Sequence, residues 1–219
     1  MGVKRRAFLI GGAALVGGGV FAVKWMDHSA GEDAVALTTG KGESSFGGWL
    51  KIAEDDAITV YSPHADIGQG SNTGLGQMLA EELDADWAKV SIVAAPAEKA
   101  FANTMLGQGF LGEMSGHPAL INALPVALLS FLARAMPLQI TGGSSALRFT
   151  GQRTMQVLGA ATRKALVETA AKRLGVPESE LTTAESKVVH VKTGKSLRYG
   201  ELAADAAQRS LSDEPKLKD

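Results

Sequence analysis

Two short glycine-bearing segments of this 219-residue chain hold the residue types best suited to bind a ligand. The first is Pro63-His64-Ala65-Asp66-Ile67-Gly68-Gln69-Gly70. Gly68 and Gly70 let the backbone approach a ligand closely, and Gln69 carries an amide that both donates and accepts. A helix predicted to begin just after Gly70 adds unpaired amides and a positive dipole end, which suit an anion. The second segment is Thr141-Gly142-Gly143-Ser144-Ser145, also ahead of a predicted helix. Its glycines, hydroxyls and helix-end amides make a second anion cradle. Together the segments suit a ligand with a phosphate and several polar ring atoms. Either one alone also reads as an ordinary turn with a helix cap. Neither has the Walker spacing, and neither has Gly-x-Gly-x-x-Gly in its required strand–helix context.

Other chemistry-bearing groups point to less. Glu81, Glu82 and Asp84 are close in sequence, but adjacent helical residues do not face each other, so a solvated face is expected. His64 reads either as an anion contact or as an exposed loop histidine. His28, His117 and His190 are scattered and suggest no metal site. The chain has no cysteine, which excludes disulfides, thiolate nucleophiles and cysteine-ligated iron–sulfur clusters within it. Electrons from any redox reaction would leave through another chain. Lys and Arg number 22 against 23 Asp and Glu, and this balance favours neither nucleic acid nor an anionic membrane surface. With 45% hydrophobic and 21% charged residues the chain can bury a real core.

The elements that would position the loops follow from periodicity. Residues 48–52 and 58–61 read as a hairpin around Glu54-Asp55-Asp56. Leu75, Met78, Leu79 and Leu83 share one face of a helix predicted over 73–83, ended near Asp84. Residues 90–93 read as a buried strand and 96–116 as irregular. An apolar helix is expected over 119–135, as core or subunit contact. A long helix over 148–174 is stopped by Gly175 and Pro177. A hairpin over 187–191 and 196–199 and a helix over 200–209 complete a mixed α+β domain of α/β layers. Trp49 and Trp87 are expected in or beside the core.

The N-terminus reads as an address. Lys4-Arg5-Arg6-Ala7-Phe8-Leu9 precedes an apolar run to Val23 broken by glycines. This is the plan of an export signal, and the paired arginines followed by Phe-Leu match the twin-arginine type. The run is short for a membrane span, though an uncleaved anchor stays open. The expected organisation is export signal or anchor over 1–30, linker over 31–45, one domain over 46–211 and a polar tail over 212–219. Residues 27–45 are read as a flexible tether.

Gly68-Gln69-Gly70, followed by Leu79-Ala80-Glu81-Glu82-Leu83-Asp84-Ala85-Asp86-Trp87-Ala88-Lys89-Val90, resembles the molybdopterin-binding subunit of the xanthine dehydrogenase family. The resemblance is to the exported branch with the isoquinoline 1-oxidoreductase beta subunit and related aldehyde dehydrogenases. Thr141 to Ser145 with Arg148 resembles a second motif of that branch, and Leu197-Arg198-Tyr199-Gly200-Glu201-Leu202-Ala203 a third. The resemblance covers roughly 46–219 and implies the N-terminal molybdopterin-binding domain of that large-subunit type. It implies that Gly68, Gln69, Gly70, Thr141, Gly142, Gly143, Ser144 and Ser145 line a molybdopterin-type molybdenum cofactor. Whether the pterin carries a cytosine dinucleotide stays open.

The implied activity is hydroxylation of an N-heterocycle or oxidation of an aldehyde, with water as oxygen source. The implied partners are a chain with the remaining molybdopterin-binding domains, a small two-iron–two-sulfur subunit and a membrane cytochrome c. The implied location is the periplasm. The family often has Arg where this chain has His64, and Glu near Asp66. No residue here matches the family's glutamate base, so no catalytic residue and no metal ligand is expected, nor activity from this chain alone. The ending over 213–219 resembles a junction into a further domain, as in a split gene or a truncated product. An exported binding module or degenerate fragment without cofactor is the alternative.

Overall fold

The computed structural model describes residues 27–103, 136–209 and 215–218, and of residues 27–32 only the backbone. The basic and apolar stretch over 4–23 and the helix expected over 119–135 lie outside the described residues.

The chain enters through helix α1 (Asp27–Thr38) and strand β1 (Glu43–Phe46). Both stand where a flexible tether is expected. They are ordered by contacts with the domain that local sequence does not reveal. Ala34 is fully buried beside Gly48, and the Thr38 hydroxyl donates to the Ala34 and Gly48 carbonyls. Strand β2 (Leu50–Ala53) pairs antiparallel with β1 and with β3 (Ile58–Ser62), in the register Leu50↔Val60. Leu50, Ile52, Ile58 and Val60 are fully buried, as their alternation requires. Asp56 turns this hairpin in the left-handed region at φ 71°.

Helix α2 (Ser71–Leu83) then crosses to β4 (Val90–Ala94), which lies parallel to β3 at the edge of a four-stranded sheet ordered β1-β2-β3-β4. Leu75, Leu79 and Leu83 form the fully buried face of α2, and Asp84 ends it at φ 54°. β4 is more exposed than its apolar composition predicts. Among the described residues it has a partner on one side only, and Val93 is 38% exposed. Trp49 is buried, with its indole N–H donating to the Ala100 carbonyl, whereas Trp87 is about half exposed.

The long helical segment begins earlier than its periodicity predicts. It is α-helical at Ser144–Ala146, π-helical over Leu147–Met155 and continues as α3 (Gln156–Leu174) to a left-handed Gly175. Glycines let it lie tightly on α2. A Cβ at Gly159 would meet the Leu79 carbonyl oxygen at 2.5 Å, and one at Gly151 would meet the Met78 sulfur at 2.5 Å.

A second sheet follows, with strands β5 (Leu181–Ala184), β6 (Lys187–His190) and β7 (Ser196–Arg198) in sequential antiparallel order, then helix α4 (Tyr199–Ala206). β5 is a strand where only a turn and connection are expected. Its register, Leu181↔His190, comes from pairing with β6. The fold is α+β, as expected. Phe46, Tyr199, Met155 and Leu158 join α3, α4 and the first sheet in one core.

Candidate functional site

Strands β3 and β4 are parallel and end side by side, Ser62 opposite Ala94, and the Ala95 amide extends the ladder to the Ser62 carbonyl at 2.8 Å. The first glycine loop leaves β3 at this end. The carboxyl edge of parallel strands is where open α/β sheets hold ligands.

Within this loop Gly68 and Gly70 take φ 94° and 70°, values that L side chains rarely adopt. Nothing lies within 4 Å of a Cβ built on either. The glycines are therefore required by conformation and leave the backbone open on its outer side. The Gln69 amide is turned back into the loop. Its oxygen accepts from the Ile67 amide at 2.6 Å, and its nitrogen donates to the Ala65 carbonyl and the Ser71 hydroxyl, both at 2.9 Å. Asp66 places one carboxylate oxygen 3.0 Å from the Gly68 amide and the other 3.3 Å from the Asn72 amide. That carboxylate caps the Asn72 amide at the start of α2. Among the described residues nothing accepts from the backbone amides of Gln69, Gly70 or Ser71.

The second loop meets the first at its base. The Ala65 amide donates to the Thr141 hydroxyl at 3.0 Å. His64 is 2% exposed, so the exposed loop histidine allowed by the sequence is not what forms. Its Nδ1 lies 3.1 Å from the Ile140 carbonyl and its Nε2 2.8 Å from the Thr150 hydroxyl. A carbonyl can only accept, so Nδ1 bears the hydrogen and neutral Nε2 accepts from Thr150. Burial holds the imidazole below its ordinary pKa, opposed in part by the bond to Ile140. The Asn103 amide donates to the Ile140 carbonyl at 2.8 Å and accepts from the Ile140 amide at 2.9 Å.

Beyond this joint, a Cβ at Gly142 would fall 2.3 Å from the Ser145 hydroxyl oxygen, so a side chain there would make Ser145 turn away. Gly143 has open space at its Cβ position, and Ser144 is exposed. The structure thus brings the roots of the two predicted loops together. It leaves Gly68, Gly70, Gly143 and Ser144 open to solvent and places Arg148 exposed on the π-helical stretch. Sequence reasoning missed the joint. His64 and Thr150 are 86 positions apart, and no local pattern pairs them.

In the acidic group over 81–84, Glu81 is exposed as expected, but Glu82 and Asp84 depart from a solvated face. Glu82 is 3% exposed, with its carboxylate 3.7 Å from Arg163 and accepting from the Lys218 amide at 3.1 Å. Asp84 lies 2.5 Å from the Lys218 ammonium and accepts from the Thr183 hydroxyl. These carboxylates stand at the far end of α2 from the glycine loops and hold the fold there. His190 bridges Glu180 and Thr193 in the second sheet, away from the loops.

A family model described as the molybdopterin cofactor-binding domain matches residues 14–123. That span contains the Gly68–Gly70 loop and ends before the Thr141–Ser145 loop. The chain is 30% identical over 158 residues to isoquinoline 1-oxidoreductase subunit beta of Brevundimonas diminuta, covering 71% of this chain and 16% of that protein. It is 30% identical over 156 residues to the membrane-bound aldehyde dehydrogenase [pyrroloquinoline-quinone] of Gluconacetobacter polyoxogenes, covering 71% and 15%. The chain therefore spans about one sixth of the length of these relatives. Among solved structures it resembles quinoline 2-oxidoreductase from Pseudomonas putida 86, with TM-score 0.43, 16% identity, 72% of this chain and 16% of that one. A second is the Cu,Mo-CO dehydrogenase, with TM-score 0.43, 18% identity, 71% and 15%.

Proposed function

Because the chain belongs to the molybdopterin cofactor-binding domain family, we propose that its two glycine loops form part of the cradle for a molybdenum–pterin cofactor in an oxidoreductase that other polypeptide completes. The observation that carries this reading is the joint between the loops. Ala65 with Thr141, and His64 with Ile140, set both loops at the carboxyl edge of the parallel strand pair. The residues present fit such a group. Open space stands where side chains at Gly68, Gly70 and Gly143 would be, Ser144 is exposed, and among the described residues nothing accepts from the amides over 69–71. Those amides and the serine hydroxyls suit phosphate and pterin oxygens, and Gln69 holds the first loop in shape.

When bound, the cofactor would supply the redox centre for hydroxylating an N-heterocycle or oxidising an aldehyde, with water as oxygen source. Residues of this chain hold and orient it. The proton-accepting group is assigned to a completing chain. So is electron transfer, through a small two-iron–two-sulfur subunit and a membrane cytochrome c, since this chain lacks cysteine. Lys4-Arg5-Arg6 and the apolar run behind them support twin-arginine export to the periplasm, a route that carries folded, cofactor-loaded proteins.

The test is to express the full chain with its neighbouring reading frames in a molybdenum-competent bacterial host and assay the co-purified complex. Molybdenum and pterin in equimolar ratio with the chain are expected. A complex lacking both would mark the chain as an exported module without cofactor.

A further inference from the structure

We propose that His64 is a positioning residue that sets the spacing between the two cofactor loops. The proposal rests on the cradle reading above and concerns how the cradle is held. The loop after His64 is exposed from Ala65 to Gly70, yet His64 itself is 2% exposed. Both of its ring nitrogens are engaged by the second loop and its helix, at Ile140 and Thr150. Ile140 lies at the root of the second loop and Thr150 is a buried residue of the helical segment behind it, so neither contact is with the strands of the sheet and the imidazole reports on the distance between the loops.

The Ile140 carbonyl is the fixed point. It accepts from His64 at 3.1 Å and from Asn103 at 2.8 Å, which uses both of its lone pairs. The next residue, Thr141, takes the Ala65 amide at 3.0 Å. Residues 142–145 therefore hang from a point that His64, with the Ala65–Thr141 bond beside it, ties to the first loop. A buried imidazole left without a partner would be disfavoured by desolvation, so the second loop has one favourable seat.

The experiment compares the full chain with His64→Leu, which keeps volume without hydrogen bonds, and His64→Asn, which keeps a donor near the Nδ1 position. Hydrogen exchange is followed in peptides covering 138–146 and in β2 and β3. His64→Leu is expected to speed exchange over 138–146 by about tenfold or more while the strands stay unchanged, and His64→Asn to stay within about threefold of the parent. The proposal fails if the two variants exchange alike, if 138–146 keeps parental protection in His64→Leu, or if protection falls equally in the strands. Molybdenum per chain in the co-purified complex is the second reading, expected to fall in His64→Leu and recover in His64→Asn. A parental complex without molybdenum would remove the cradle reading, while the exchange comparison would still decide the role of His64.

Discussion

The backbone amide of Ala65 donates to the Thr141 hydroxyl across 3.0 Å, joining segments 76 residues apart in sequence. This bond and the neighbouring His64–Ile140 contact join the roots of two loops that the sequence presents separately. The loops differ in how they are held. The first is shaped by its own side chains, Asp66 and Gln69, and the second is held from outside by Ala65, His64 and Asn103.

Gln69→Ala tests the first arrangement. Two of the three hydrogen bonds of its amide, to Ile67 and Ala65, lie at an exposed loop where water can replace them, and the third reaches the buried Ser71 hydroxyl. Stability is expected to change by less than about 1 kcal/mol in urea unfolding. Molybdenum content of the assembled complex is expected to fall, because Ile67 and Ala65 lose the group that sets the loop. Unchanged molybdenum content would contradict the role given to Gln69.

His64 should make stability depend on pH. Its folded pKa lies below the unfolded value, so the unfolded chain binds the proton more readily. Its contribution is complete above the unfolded pKa of about 6.5 and is lost as pH falls from there through the folded pKa. The loss is at most about 1.4 kcal/mol per pH unit for one proton. Unfolding midpoints recorded between pH 8 and pH 5 should show this slope for the parent and a shallower one for His64→Asn. Equal slopes would count against a buried neutral imidazole.

Asp56 gives a prediction at lower pH. Burial works against its charge, but the Gly200 amide at 2.8 Å, Arg198 at 2.9 Å and Lys89 at 3.1 Å together hold the carboxyl below its usual range. The stability it confers is present above the unfolded pKa of about 3.9 and is lost as pH falls through the folded value. Asp56→Asn keeps a residue that tolerates φ 71° and is expected to cost about 1–3 kcal/mol at neutral pH while flattening the acid limb. An acid limb as steep as the parent's would contradict the assignment.

Gly159 tests the contact that seats the second loop's helix on α2. A Cβ there meets the Leu79 carbonyl oxygen at 2.5 Å and the Glu82 Cβ at 2.9 Å, neither of which moves easily. Gly159→Ala is expected to cost about 1–3 kcal/mol in denaturant unfolding. Gly151→Ala meets the movable end of Met78 and should cost less. The reverse order would mean that the helices are not locked at Gly159.

The sequence is legible where physics is local. The β2–β3 hairpin, the buried face of α2 and its end at Asp84 follow from alternation, periodicity and turn chemistry. Gly68 and Gly70 are legible as backbone positions that a side chain would strain. α1 and β1 are not, because polar segments become ordered there by burying Ala34 and Phe46 against the rest of the domain. Glu82 is equally hidden, since its partners Arg163 and Lys218 come from distant segments. The same reason conceals the His64–Thr150 bond, which depends on where the π-helical turns place Thr150.

Ser144→Glu tests the cradle most directly. Ser144 is exposed in the first turn of its helical segment, so a carboxylate there leaves the fold intact and suits the helix end. In a cradle for an anionic cofactor the same charge repels the ligand. Molybdenum and pterin per chain, measured in the co-purified complex beside unfolding midpoints, are expected to drop about tenfold or more in Ser144→Glu with the midpoint unchanged, and to stay near the parent in Ser144→Ala. Full cofactor content in Ser144→Glu would contradict the account.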